Sequence, residues 1–357
     1  MRRVSVARAK AGMVLGRAVF DTHGRLVLGD GDKLTTQNLS LLARSGSAEI
    51  LIEDPRVADI VVGSLFSAQL EAKAVQALHT LLVSQEGTTE GVTPADILAI
   101  QPWLNKMAQR LFPEVLGEPE LSGSASVKGY DYIHPVKVAA LAMLIGRYAG
   151  LDQADLTKLS MAALLENIGY LSLPSEIMEK EGPLTEEEWE HVRRHPRESA
   201  NMLAESGLEA DVIIAIKQHH ERWDGSGYPD GRKGEEISLF ARIIAIADAF
   251  HALLSKRPQR PAFKPHEAME FIVAYSGAAF DPDLAQICAR RVPQFPAGLG
   301  VKLSTGEVGI VSDPNIGHIA RPIVRICVEN GVALKKPFDL DLSSRECMDK
   351  LITQVLL

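Results

Sequence analysis

The chain of 357 residues has few cysteines and no long hydrophobic run. Its cysteines, Cys288, Cys327 and Cys347, are far apart and form no CxxC pair, which excludes a disulfide scaffold and a zinc knuckle and predicts reduced thiols. The apolar stretches are too short to span a bilayer. Arg2 and Arg3 precede no continuous apolar segment, so a signal peptide is not expected. We therefore expect a cytoplasmic protein without membrane insertion.

An excess of positive charge is also missing. The chain has 38 Lys and Arg against 46 Asp and Glu, a formal net charge of −8. This argues against binding of a nucleic acid polymer, which requires a cationic surface, but it does not exclude a small anionic ligand in a local pocket. With 46% hydrophobic and 24% charged residues, the composition is that of an ordinary globular chain of two or three domains.

The pattern of apolar residues predicts a mainly α fold with β-rich ends. Helical periodicity dominates the middle of the chain, whereas period-two alternation and turn residues mark both ends. Thr93 followed by Pro94 predicts a helix start. The predicted division is a small β-rich module at 1–55, a helical connector at 56–115, a Gly- and Ser-rich linker at 116–129, a helical domain at 130–293, and a C-terminal β extension with a terminal helix at 297–357.

Four histidines and one aspartate of the helical domain form a candidate metal site. His134 opens the first predicted helix, His195 lies in the third, His219 and His220 end the fourth, and Asp248 lies in the apolar fifth. A carboxylate in an apolar stripe is costly to bury unless it is paired or binds a metal. Imidazoles with a carboxylate suit a transition metal. Ordinary core or surface histidines remain the alternative, because these ligands come from separate helices.

The segment ERWDGSGYPDGRKGEE, directly after the adjacent histidines, is rich in turn residues. Asp224, Gly225 and Gly227 predict a rigid loop with Tyr228 and Pro229 at its tip. An ordinary surface loop is the alternative.

The sequence HHERWDGSGYPDGRKGEEISLFARIIAIADAF resembles the signature of the HD-GYP family of bacterial cyclic-di-GMP phosphodiesterases. YDYIHPVKVAALA, LLENIGYLSLP and PLTEEEWEHVRRHP resemble other segments of that family, so the likeness covers about 130–293. The β-rich ends resemble modules of some members more weakly. The resemblance implies an all-helical HD-type bundle around two or three metals, Fe or Mn, which cleaves the phosphodiester bonds of cyclic di-GMP with a metal-activated hydroxide.

The resemblance also implies roles for individual residues. It implies that the loop from Asp224 to Pro229 docks GGDEF-type cyclase domains and that Arg257 and Arg260 contact ligand phosphate. The implied metal ligands are His134, His195, His219, His220 and Asp248.

The chain departs from the family in the motif that gives the family its name. Glu166 replaces the family's histidine, Asn167 its aspartate and Tyr170 its lysine. An amide carries no charge and bridges two metals poorly, and tyrosine offers no positive charge to a substrate phosphate, although Glu166 retains a metal-binding carboxylate. Tyr130 stands where members with a third metal carry a glutamate, and His251 replaces the second acid of the ADxxDA pattern.

These substitutions favour a degenerate domain that binds cyclic di-GMP, or a partner such as a GGDEF-type cyclase, without efficient hydrolysis. Such a domain would hold one metal or none, since the three imidazoles of His195, His219 and His220 either hold an ion or form a hydrogen-bonded core with Asp248. The alternative is a residual phosphodiesterase that cleaves to pGpG or GMP, with Glu166 replacing the lost ligand. A third and weaker interpretation assigns recognition to the β modules alone.

Overall fold

Short strands and one helix form an α+β module at the start of the chain. The computed structural model describes residues 1–85, 91–112, 117, 119, 132–178, 180, 182–255 and 261–357. The elements of the module are β1 (Arg2–Ser5), β2 (Val19–Phe20), β3 (Leu26–Leu28), α1 (Thr36–Arg44) and β4 (Glu49–Ile52). β1 pairs with β4 and β2 with β3, both antiparallel. The side chain of Thr35 caps α1 by accepting from the Asn38 N–H, which stabilises the helix start.

The middle of the chain is helical. Its helices are α2 (Ala68–Gln85), α3 (Pro94–Arg110), α4 (Ile133–Tyr148), α5 (Gln153–Leu165), α6 (Ser175–Met178), α7 (Glu186–Arg193), α8 (His195–Met202), α9 (Ala210–Gln218), α10 (Leu239–Leu254), α11 (Pro265–Ala274) and α12 (Pro282–Arg291). The predicted helix start at Thr93 is confirmed, and Thr93 and Thr185 each form a reciprocal capping box with the acid three residues later.

α4 lies at the centre of the bundle because it is apolar on nearly every face. It packs against α5, α10, α2 and α12. Gly146 permits close contact with α5, since a Cβ at this position would lie 2.7 Å from the side chain of Leu159. The packing of α4 against α10 brings His134, at the start of α4, beside Asp248 of α10.

The C-terminal region is a five-stranded antiparallel sheet with the order β8-β7-β6-β5-β9. Its strands are β5 (Gly300–Leu303), β6 (Val308–Asp313), β7 (Ile323–Glu329), β8 (Val332–Asp341) and β9 (Ile352–Leu356). The predicted terminal helix is wrong, because the last residues form β9 and pair with β5. Ile352, Thr353 and Val355 are β-branched, and the free edge of β5 offers them backbone partners.

The two β-rich ends of the chain contact each other, a point that the sequence left open. The backbone N–H of Arg3 donates to the carbonyl oxygen of Gly298 at 2.7 Å. The Nε of Arg3 donates to the carbonyl oxygen of Ala297 at 3.1 Å. Both ends contribute side chains to one apolar cluster: Leu51, Val57, Ile60, Val62, Ala297, Ile310 and Cys327. The ends of the chain therefore form one joint unit beside the helices.

The predicted fold class, a helical bundle with an N-terminal β module and a C-terminal β region, is confirmed. The domain boundaries stay predictions, and most of the predicted linker at 116–129 lies outside the described residues. Within the described parts of the chain, no helix combines the length and the hydrophobicity needed to cross a bilayer.

Candidate metal centre

Three histidines from two helix ends converge inside the bundle. His195 is the first residue of α8, and His219 and His220 follow the end of α9. One nitrogen from each imidazole lies within 4.8 Å of the others. His195 and His219 are buried and His220 is half-buried. We call these residues the three-histidine group.

Backbone carbonyls fix the tautomers of two of these imidazoles. The Nδ1 of His195 lies 2.7 Å from the carbonyl oxygen of Val192, and the Nδ1 of His219 lies 2.6 Å from that of Ile216. A carbonyl oxygen only accepts, so each Nδ1 carries the proton and each neutral ring keeps a lone pair on Nε2. The two Nε2 atoms face each other at 3.3 Å. Two facing lone pairs repel each other, and a cation between them removes that repulsion.

The electrostatics of the three-histidine group favour the neutral, metal-binding form of each ring. Burial, together with the nearby His219, lowers the pKa of His195 to about 3. Burial also lowers the pKa of His219, and burial with the two neighbouring imidazoles lowers that of His220 well below its usual value. The residues therefore fit a transition metal, which prefers neutral imidazole nitrogen.

A second group combines one imidazole with two carboxylates. Donor atoms of His134, Glu166 and Asp248 lie within 4.8 Å of one another, and we call these residues the carboxylate group. The Nε2 of His134 lies 3.0 Å from the Oδ1 of Asp248. Glu166 is fully buried and its Oε2 has no hydrogen-bond partner. An orphaned carboxylate oxygen of this kind is a ready metal ligand.

The two carboxylates differ in protonation. Burial and the negative charge of Asp248 raise the pKa of Glu166 well above its usual value. Burial also raises the pKa of Asp248, but the hydrogen bond from His134 and the electrostatic influence of the neighbouring histidines outweigh it, so the net pKa of Asp248 is lowered. Without a metal, Glu166 therefore keeps its proton to a higher pH than an exposed glutamate does, and a divalent cation would take over the role of that proton.

The substituted motif lies at the end of α5 and in the 3₁₀ turn that follows it. The Nδ2 of Asn167 donates to the Oε1 of Glu166 at 3.3 Å, while its own Oδ1 is buried without a partner. The ring of Tyr170 packs on the ring of His195 with their centroids 4.2 Å apart. The amide thus supports Glu166, and the aromatic ring covers one face of the three-histidine group.

Gly169 and Ser199 connect the two groups, and no pattern in the sequence indicates their role. The hydroxyl of Ser199 accepts from the Gly169 N–H at 2.9 Å and donates to the Glu166 carbonyl oxygen at 2.7 Å. A Cβ on Gly169 would lie 2.3 Å from the carbonyl oxygen of His195. This close packing sets the spacing between the turn and α8, and it depends on residues 30 positions apart in sequence.

The loop after the adjacent histidines folds inward in part. The prediction that Tyr228 stands at its tip is wrong, because the tyrosine is half-buried and its ring centroid lies 4.9 Å from that of His220. The Tyr228 N–H donates to the His220 carbonyl oxygen at 3.2 Å, which draws the residue toward the centre. Gly227 is required, since a Cβ there would lie 2.3 Å from the Arg222 nitrogen. Gly225 has a φ of +86°. Asp224 is exposed, and its carboxylate accepts from the Ser226 N–H.

Glu221 anchors this loop, although the site predicted from the sequence did not include it. It is 3% exposed, and its two carboxylate oxygens accept from the N–H groups of Asp230 at 2.7 Å and Arg232 at 3.1 Å. An acid directly after two candidate ligands is the signal in the sequence that could have pointed to this role.

The structure brings all five predicted ligands together, in two groups, and adds Glu166. Asp248 belongs to the carboxylate group, where its side chain is hydrogen-bonded to His134. Tyr130, Arg257 and Arg260 lie outside the described residues.

Comparison with known proteins identifies relatives of this chain. The HD domain family matches residues 93–284, just over half of the chain. The cyclic di-GMP phosphodiesterase PA4108 of Pseudomonas aeruginosa is 35% identical over 201 residues, which cover 55% of this chain and 48% of that protein. The cyclic di-GMP phosphodiesterase response regulator RpfG of Xanthomonas campestris is 40% identical over 149 residues, 41% of this chain and 39% of that protein. The chain thus spans about half or less of these relatives.

A solved structure shares the fold. Bd1817, an HDG"Y"P protein from Bdellovibrio bacteriovorus, aligns with a TM-score of 0.50 and 15% identity, covering 80% of this chain and 97% of that one. With the matching motifs and the clustered ligands, these findings show that the chain belongs to the HD domain family and, within it, to the HD-GYP group.

Proposed function

We propose that the chain is a cyclic-di-GMP signalling protein that holds a divalent transition metal, Fe or Mn, and binds cyclic di-GMP with little hydrolysis. The observation that carries the proposal is the position of Asn167, whose amide donates to Glu166. An aspartate at this position would add a second carboxylate next to Glu166, whereas the amide adds no negative charge.

Metal binding is supported by the two donor groups. The Nε2 atoms of His195 and His219, with a nitrogen of His220, would hold one ion, and His134, Glu166 and Asp248 would hold another. A bound metal supplies positive charge for phosphate oxygens and lowers the pKa of water. The residues themselves exclude solvent and orient the donors, since Glu166 and His195 are 0% exposed.

Weak hydrolysis is supported by Tyr170. Its phenol ring packs on His195 in place of a lysine ammonium, so the turn offers no cation to a phosphate oxygen. Loss of one preorganised charge of this kind costs about 10²–10³-fold in rate. The missing carboxylate at Asn167 adds to this loss.

A residual phosphodiesterase is the second candidate, favoured by Glu166. Its carboxylate lies within 4.8 Å of donor atoms of His134 and Asp248, so it would complete a second metal site without the family's histidine. Slow cleavage to pGpG or GMP would follow.

The deciding experiment compares the wild-type chain with the triple variant Glu166→His, Asn167→Asp and Tyr170→Lys. Metal content, cyclic di-GMP binding by calorimetry and turnover by chromatography are measured with Mn²⁺ and with Fe²⁺, and cyclic di-AMP serves as the control ligand. We expect wild-type binding without turnover, and turnover at least about 100-fold higher in the triple variant. Wild-type turnover that His219→Ala abolishes would establish the residual enzyme instead. Absence of both binding and turnover would reject both proposals.

We also propose the loop as the docking site for a GGDEF-type cyclase domain. Arg222, Asp224 and Ser226 are exposed, and the loop is held rigidly by Glu221. Titration with a GGDEF domain should show binding that Arg222→Ala and Asp224→Ala weaken, while Glu187→Ala on α7 leaves it unchanged. Equal binding by all variants would reject this docking site.

A further inference from the structure

His251 is a buried histidine that contacts a candidate metal ligand. It lies on α10 one helical turn after Asp248 and is 3% exposed. Its Nδ1 lies 2.7 Å from the Nδ1 of His134, and the two ring centroids are 4.9 Å apart. His134 is therefore held at both nitrogens, by Asp248 at Nε2 and by His251 at Nδ1.

The two Nδ1 atoms share one proton at this distance. A neutral imidazole has one N–H donor and one lone pair. The Nε2 of His134 faces the carboxylate of Asp248, which only accepts when it is ionised. Without a metal, His134 therefore donates from Nε2, and its Nδ1 accepts the N–H of His251.

Metal binding requires the opposite arrangement. For His134 to ligate through Nε2, its proton must lie on Nδ1, and the acceptor at 2.7 Å is then the Nδ1 of His251. The shared proton moves from His251 to His134, the Nε2 of His134 gives up its proton, and the Nε2 of His251 gains one. The pair holds two protons before and after the change.

We propose that His251 is a positioning residue that fixes the ring of His134 and lets it take either tautomer. Because the metal-free tautomer must change before His134 can bind a metal, the metal affinity of the carboxylate group is lower than it would be with an acid at position 251. A carboxylate there would only accept, and it would hold the proton of His134 on Nδ1 permanently. Such hydrogen-bond partners of metal-binding histidines change metal affinity by about 10–100-fold.

The test uses the full chain and the variants His251→Asp, His251→Asn and His251→Phe. In metal-free protein with ¹⁵N-labelled histidine, the wild type should show His134 protonated on Nε2 and not on Nδ1, and His251→Asp should show a proton on Nδ1. Calorimetry with Mn²⁺ should show about 10–100-fold tighter binding in His251→Asp and weaker binding in His251→Phe. His266→Phe, a half-buried histidine stacked on Phe295, is the matched control.

The tautomer decides the outcome, because the added charge of an aspartate would by itself strengthen Mn²⁺ binding. A proton on Nδ1 of His134 in both wild type and His251→Asp would overturn the assignment. If His251→Phe does not fold, His251→Asn supplies the comparison, since its amide both donates and accepts and should keep the wild-type pattern. The inference rests on the metal site of the proposed function, but neither readout uses cyclic di-GMP, so failure of nucleotide binding is a separate result.

Discussion

The two donor groups of the candidate metal centre differ in which neighbours orient their side chains. In the three-histidine group, backbone carbonyls of Val192 and Ile216 orient His195 and His219. In the carboxylate group, side chains orient side chains: Asp248 and His251 hold His134, and an amide holds Glu166. A backbone partner is present whatever residue occupies its position, whereas a side-chain partner changes with one substitution. The departures from the family motif that lie in the described residues affect chiefly the carboxylate group.

Removal of an imidazole from the three-histidine group should cause the largest loss of metal affinity. We expect His219→Ala to lower affinity for Mn²⁺ by at least about 10³-fold at that group, because the two facing Nε2 atoms no longer form a chelating pair. In the wild type this affinity should change little between pH 8 and pH 6, since burial holds the pKa of His195 at about 3 and protons do not compete. Calorimetry across this pH range measures both.

His266→Ala controls for loss of a histidine outside the centre. An unchanged affinity in His219→Ala would remove the three-histidine group as a metal site. A steep loss of wild-type affinity between pH 8 and pH 6 would show that its imidazoles are protonated in that range.

Moving the three-histidine group away from the carboxylate group should cause an intermediate loss of metal affinity. Gly169→Ala places a Cβ 2.3 Å from the His195 carbonyl oxygen, so α8 must move away from the turn that follows Glu166. We expect a loss of about 1–3 kcal/mol in the free energy of unfolding and about 10–100-fold in metal affinity. Gly150→Ala is the matched control. An alanine at its φ of +94° lowers the free energy of unfolding by about 1–2 kcal/mol, but no atom lies within 4 Å of the new Cβ.

Thermal unfolding and Mn²⁺ titration distinguish the two glycine variants. Both should lose stability, and only Gly169→Ala should lose metal affinity. Equal metal affinity in the two would mean that the groups bind ions independently of their spacing.

Sequence reasoning predicted the fold class, and it proposed candidate ligands that the structure brings together, because both have local signals. Helical periodicity and the capping boxes at Thr93 and Thr185 mark the helices directly, and the motifs of the family identify the histidines. The terminal strand was missed because Ile352–Leu356 become a strand only where β5 offers an edge. Tertiary pairing, which no local pattern records, decides such a segment.

The arrangement of the site was less accessible to sequence reasoning. Nothing local indicates that Gly169 must pack on His195, or that Tyr228 turns inward to His220. The pairing of His134 with His251 joins residues 117 positions apart. Spacing in the chain identifies ligands on separate helices but does not tell which of them meet, since that depends on how α4 packs against α10.

The protonation of Glu166 gives the smallest and most specific test of the carboxylate group. Burial and Asp248 raise its pKa in the native state well above the usual value of 4.5, so above that pH the unfolded chain loses a proton that the native state keeps. The metal-free protein therefore loses stability as the pH rises from the unfolded pKa to the native one. Glu166→Gln carries no such proton, so its free energy of unfolding should not fall in this way. Between pH 5 and pH 8 we expect the difference in the free energy of unfolding, variant minus wild type, to rise by about 1–3 kcal/mol.

Mn²⁺ should reverse this order, because the ionised carboxylate of Glu166 would bind the ion and an amide would bind it more weakly. Denaturant unfolding at both pH values, with EDTA and with Mn²⁺, gives the four comparisons. Glu187→Gln, an exposed acid on α7, should show neither effect. A Glu166→Gln variant that is equally destabilised under all four conditions would show that Glu166 is a packing residue. A reversal by Mn²⁺ would show that the carboxylate group retains a metal site despite the loss of the family's motif.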